Sequence, residues 1–202
     1  MKHSKRAVNN GYSFVEMLIV LAIMAIMSAM AIVTWNSVKS AKYKQAVSTF
    51  ESELSTLRTS TMGQGDGMAM KVYYDADYSD RFGKKIGAYV ITRGYVDNSG
   101  TFQEVTYNSS STDSLQRSLY FSYAGVSNPV FIMQKGKIQY APTGSNVYTD
   151  IDDSGIVIQY YKSDGSVKSG QGDGVFRFYK DNGKMIADVH LVQVTGTFYE
   201  TY

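Results

Sequence analysis

Glu16 is the only charged side chain between Arg6 and Lys39. It stands at the head of an uncharged run, Met17–Val38, which as a helix at about 1.5 Å per residue reaches roughly 33 Å. A hydrocarbon core of about 30 Å is within that reach. A carboxylate at the border of such a segment is costly, so its presence asks for a function. One local role is available. Ser13-Phe-Val-Glu16 has the Ser-x-x-Glu form of a capping box, with Ser13 at the N-cap and Glu16 at the third helical position. There Glu16 also meets the positive end of the helix dipole.

A second cluster of carboxylates lies at Asp150, Asp152 and Asp153, closed by Gly155. Three carboxylates on a Gly turn offer the hard oxygens that Ca²⁺ takes, although the spacing departs from the EF-hand loop. This is the best metal candidate, and Ca²⁺ the only cofactor the residues suggest. Acidic Gly turns are also common at strand ends, where they hold no metal. Nucleophile–base chemistry lacks material: the chain has no Cys, and its only histidines are His3 and His190. His190 falls in a predicted strand and reads as a strand residue with a local hydrogen bond. Gly-Gln-Gly-Asp-Gly occurs at 63–67 and again at 170–174, but no Lys-Ser/Thr follows, so neither is a phosphate loop. No enzyme is expected.

The elements that position these residues follow from pattern. Val47, Phe50, Leu54 and Leu57 recur at helical spacing, with Lys44, Glu51, Glu53 and Arg58 elsewhere on the wheel. The helix should therefore run from about Ser13 to Met62, roughly 75 Å, and break at Gly63. After Gly67 the period changes to two. Met70–Tyr74, Ile86–Val96, Phe102–Tyr107, Ser118–Tyr123, Val130–Met133, Lys137–Tyr140 and Ile156–Tyr161 read as strands. Lys135-Gly136 reads as one hairpin turn. Asp181-Asn182-Gly183 reads as another, between Val175–Tyr179 and Met185–Val194. Tyr140, Tyr160 and Tyr161 are expected on half-buried strand faces. The fold class is α+β: a long N-terminal helix, its first half membrane-spanning, packed on an antiparallel sheet domain.

Composition is compatible with one anchor helix and one domain. The 202 residues carry a formal net charge of +2, of which Lys2, Lys5 and Arg6 supply three positive charges. Without them the balance is slightly negative, which suits no polyanion. A DNA contact wants clustered Lys and Arg beside aromatics. Met185–Tyr202 has aromatics but neither Lys nor Arg, and only scattered Lys162, Lys168, Arg177, Lys180 and Lys184 remain; a nucleic-acid partner is not expected. Absence of Cys excludes a disulfide framework.

A secretory signal peptide would have a shorter apolar core with its cleavage site behind it. An ordinary signal anchor fits the length but gives no reason for Glu16. Positive charge is balanced across the run, Lys2, Lys5 and Arg6 against Lys39, Lys42 and Lys44, so the positive-inside rule barely orients it.

The stretch Gly11-Tyr-Ser-Phe-Val-Glu16 with the apolar residues to Val33 resembles the prepilin signature of type IV pilins and type II secretion pseudopilins. The resemblance implies a leader of residues 1–11, cut after Gly11 by a prepilin peptidase on the cytoplasmic side, and N-methylation of Tyr12. It implies a polymerisation helix over 12–35, an amphipathic continuation over 36–62 and a β-rich globular domain over 63–202. It also implies that Glu16 pairs with the Tyr12 ammonium of a neighbouring subunit. Ala22, Ala25, Ser28, Ala29 and Ala31 add small surfaces for close helix approach. Tyr12 departs from the family's usual Phe, and Val33 stands where a Pro is frequent. Partners would be the peptidase, other pilin or pseudopilin subunits and the membrane platform of the assembly machine. The N-terminus would be cytoplasmic, the globular domain extracytoplasmic.

Val175-Phe-Arg-Phe-Tyr-Lys-Asp-Asn-Gly-Lys-Met-Ile-Ala187, with a last strand and Gly196, also resembles the C-terminal end of H-type minor pseudopilins. The function implied is a structural, minor subunit of a pilus or pseudopilus serving secretion or DNA uptake. The polar stretches Asn108–Ser114 and Ser163–Gly174 fit a subunit present at low copy. The alternative is a membrane-anchored binding module, either DNA-capturing or a calcium-stabilised adhesin.

Overall fold

The computed structural model describes residues 13–64, 67–105 and 129–202. Helix α1 (Phe14–Gln64) forms over 51 residues without interruption, as the absence of Pro and the run of Ala, Met, Leu and Lys favour. It ends within two residues of the expected stop, where Gly63 and the following Gly-rich stretch remove helix propensity. The chain divides after Ala41 into two compact units. The first holds the start of α1. The second, Lys42–Tyr202, holds the rest of α1 and the described strands.

Two five-stranded antiparallel sheets make up the strand part of this second unit. The first sheet is built from β1 (Met68–Asp75), β2 (Ala88–Val96), β3 (Phe102–Glu104), β4 (Val130–Met133) and β7 (Ile156–Gln159). Strand β2 is central: β1 lies along one edge, and β4 and β3 share the other in succession. The second sheet runs in the order β10 (Phe198–Thr201), β9 (Met185–Leu191), β8 (Gly174–Tyr179), β5 (Lys137–Pro142), β6 (Thr149–Asp150). The architecture is α+β, a long helix followed by antiparallel sheets, which is the pilin-like order.

The core confirms the helical stripe. Val47, Phe50, Leu54 and Leu57 are buried, and the Phe50 ring lies 4.9 Å from Phe176 and 5.5 Å from Phe178. Those two residues alternate with exposed-side neighbours along β8, as a period of two requires. Full burial of one such aromatic is worth about 1.5–3 kcal/mol, so the stripe anchors residues 42–64 of α1 to the second sheet.

Three expectations are corrected. Lys135-Gly136 does not close a hairpin: β4 pairs with β2 in the first sheet, while β5 pairs with β8 in the second. The turn is a crossover between sheets, and Gly136 is needed there. Its φ is +106°, and a Cβ would strike the Tyr179 carbonyl. Tyr140 and Tyr160 are buried outright, while Tyr161 is 45% exposed. The polar Ser163–Gly174 stretch is partly packed. Val167 and Asp173 are buried within it, and Tyr161 and Lys168 donate backbone bonds to and from the edge of β7. The last predicted strand is too long: β9 stops at Leu191, and Val192–Gly196 turns the chain back so that β10 pairs with β9. A Cβ at Gly196 (φ +61°) would strike the Gly165 carbonyl, so this turn also depends on glycine.

The Asp181-Asn182-Gly183 turn does join β8 to β9. Lys180 N–H donates its closing bond to the Lys184 carbonyl at 2.9 Å. Ser118–Tyr123, Asn108–Ser114 and the end of Phe102–Tyr107 lie outside the described residues.

Candidate functional site

Ser13 immediately precedes α1, and Met17 N–H donates to its carbonyl at 3.1 Å, closing the first turn. Ser13 is therefore the N-cap and Glu16 the third helical residue, as the sequence indicated. Gly11 and Tyr12 lie outside the described residues. Glu16 is exposed, and no side-chain partner for its carboxylate is found among the described residues. The dipole at the helix start favours its charge by roughly 0.3–1 kcal/mol at an exposed site.

The surface that follows is apolar on every side. From Phe14 to Met30 each large apolar side chain is exposed, from 44% at Val20 to 78% at Phe14. The Ser28 hydroxyl donates back to the Met24 carbonyl at 2.7 Å, so the run's described hydroxyl is satisfied within the helix. A helix hydrophobic all round is stable only inside a large core or a membrane. Among the described residues no helix is long and apolar enough to cross a membrane.

The three nominated aspartates do not act together. Among the described residues no group of three acidic, His or Cys side chains is placed to hold a metal. Asp150 accepts from Lys137 Nζ at 2.8 Å and from Gln139 Nε2 at 2.8 Å, and these two donors, Lys137 above all, lower its pKa. Asp152 instead accepts from the Ser154 hydroxyl and backbone, at 2.5 and 3.0 Å. The Asp153 carbonyl receives Lys71 Nζ at 3.2 Å. The carboxylates serve a strand pair and a turn. His190 stacks on Tyr199, ring centres 4.6 Å apart, with Nε2 3.2 Å from the Thr201 hydroxyl; it is a strand residue with a local bond.

Two constellations were not legible beforehand. Arg93 of β2 and Glu53 of α1 form a buried two-point ion pair. Lys135, Lys137 and Lys180, distant in sequence, line one groove.

Residues 6–32 match the family model described as the prokaryotic N-terminal methylation motif. The chain carries a type IV pilin signature. That motif covers the Gly11–Tyr12 junction, Glu16 and the apolar start of α1, the same residues that carried the resemblance. The match is confined to this N-terminal segment, 27 of the 202 residues. No curated protein and no solved structure matches the chain.

Proposed function

We propose that this pilin-like chain is inserted with its N-terminus in the cytoplasm, cut after Gly11, methylated on Tyr12, and then polymerised through α1. One observation carries the reading: the exposed apolar surface of Phe14–Met30, whose only charged residue is Glu16 at its head. Lipid covers this surface before assembly, and the same helices of neighbouring subunits cover it afterwards. Inside such a bundle the Glu16 carboxylate has no water. The methylated ammonium of Tyr12 from a neighbour neutralises it and fixes axial register.

The uncharged run Met17–Val38 supports a membrane span once residues beyond Met30 are included. The H-type pattern at Val175–Ala187 and the polar 163–174 stretch support a minor subunit of a secretion or DNA-uptake filament.

Glu16→Ala tests the assembly role. The variant inserts as well as wild type, because a charge near the bilayer is removed, but its incorporation into filaments falls at least tenfold. Wild-type incorporation would reduce Glu16 to its capping role. Stoichiometry is tested separately, by quantitative proteomics on sheared filaments. A chain supplying most of the filament mass contradicts the minor assignment.

A further inference from the structure

The turn between β4 and β5 and the turn between β8 and β9 meet at one end of the second sheet. Together they wall an open groove of about 650 Å³. Lys135 and Lys137 come from one side, Tyr179, Lys180 and Asp181 from the other, and Gln139 lies beside them. The two sides are 40 or more positions apart in the chain, and the crossover at Gly136, with the β5–β8 pairing Lys137↔Tyr179, is what brings them together. Three ammonium groups, against Asp181 in the lining and the Asp150 carboxylate bound to Lys137, leave a net positive charge here, in a chain that is otherwise near neutral. Among the described residues Lys135 and Lys180 have no carboxylate partner.

Two of the groove's donors already share an oxyanion. Lys137 Nζ and Gln139 Nε2 converge on a single oxygen, Oδ1 of Asp150, each at 2.8 Å. Asp150 sits on β6, a two-residue edge strand whose residues are both exposed, so little packing fixes it there. Exposed ion pairs of this kind contribute little, so an incoming anion of higher charge can displace it. A phosphate offers several acceptor oxygens and more than one negative charge, which suits point-charge ammonium donors better than one carboxylate oxygen does. We infer that the groove binds a phosphate-bearing ligand, with Lys135, Lys137, Lys180 and Gln139 as donors and Asp150 as the internal anion that the ligand displaces.

The test uses the full chain in detergent, titrated calorimetrically with inorganic phosphate and with tripolyphosphate at constant ionic strength, sulfate serving as the control anion. Lys135→Ala/Lys180→Ala lowers phosphate or tripolyphosphate affinity at least tenfold. Asp150→Asn raises it severalfold, because the internal competitor loses its charge. The charge-matched Lys42→Ala/Lys44→Ala, outside the groove, leaves it unchanged. Circular dichroism confirms that each variant is folded. Equal affinity for the two probes identifies a free phosphate; preference for tripolyphosphate identifies a phosphate chain, and both support the site. Absence of binding overturns the inference. So does equal loss in the two lysine double variants, an unchanged affinity in Asp150→Asn, or sulfate binding as tight as either phosphate probe. None of these outcomes bears on cleavage after Gly11, which is measured independently.

Discussion

Arg93 on β2 and Glu53 on α1 meet side-on, with guanidinium Nε and Nη2 at 2.7 and 2.5 Å from the two carboxylate oxygens. Their side chains are only 5% and 11% exposed. The pair joins residues 42–64 of the helix to the first sheet, as Phe50 joins them to the second. Removing one partner strands a buried charge, at a cost of about 3–5 kcal/mol. Glu53→Ala and Arg93→Ala should each destabilise the protein by that order in denaturant titration. The double variant should cost clearly less than the sum. Additive losses would show that the two residues act independently.

Phe50 is the aromatic that links helix and second sheet. Phe50→Ala should cost about 3–5 kcal/mol, whereas Glu51→Ala, one residue on and only partly buried, should stay within about 0.5 kcal/mol. A comparable midpoint shift for both would contradict the packing described.

Alkali should unfold the protein through its buried phenols. Burial, with the Asp173 charge adding, pushes Tyr140 up to about 12, and burial raises Tyr160 further, opposed by Arg58. A raised folded pKa means that this contribution to stability is complete below the ordinary value of 10.0. It is lost as pH climbs from there through about 12. Phenolate absorbance should show most of the 17 tyrosines titrating first, with the last ones appearing together with loss of the folded circular-dichroism signal. Complete titration near pH 10 with the fold intact would contradict the burial.

At the acid end, Asp97 is the group to follow. Ser99 and Gln103 side chains, with the Thr101 backbone, hold its carboxyl down to about 2. Its support for the 97–103 turn is therefore full above the ordinary 3.8 and fades as pH falls towards about 2. NMR titration of the carboxyl carbon should find a midpoint well below 3.8, and Asp97→Ala should broaden the amide signals of Ser99 and Thr101 selectively.

The legible parts of this chain were those set by local rules. The apolar stripe from Val47 to Leu57, the Asp181-Asn182-Gly183 turn and the Ser13 cap each depend on residues close in sequence. Partnership at a distance was not legible. Lys135-Gly136 looks like a hairpin turn because turn chemistry carries no information about which sheet the next strand joins. Glu53 looked like a surface residue because of its charge. Yet at about 100° per residue it lies about 60° from Phe50 on the wheel, inside the buried arc, and that angle was available as a warning. The groove lysines could be gathered only by the β5–β8 pairing. Asp150 was read as a cation ligand, although the lysine and glutamine that claim it come from a neighbouring strand.

The account rests on processing at the Gly11–Tyr12 junction. Intact-mass spectrometry of the native protein, purified from a host with an active prepilin peptidase, tests it most directly. The account predicts a chain lacking Met1–Gly11 and carrying one added methyl group on Tyr12. A full-length chain from that host would contradict it.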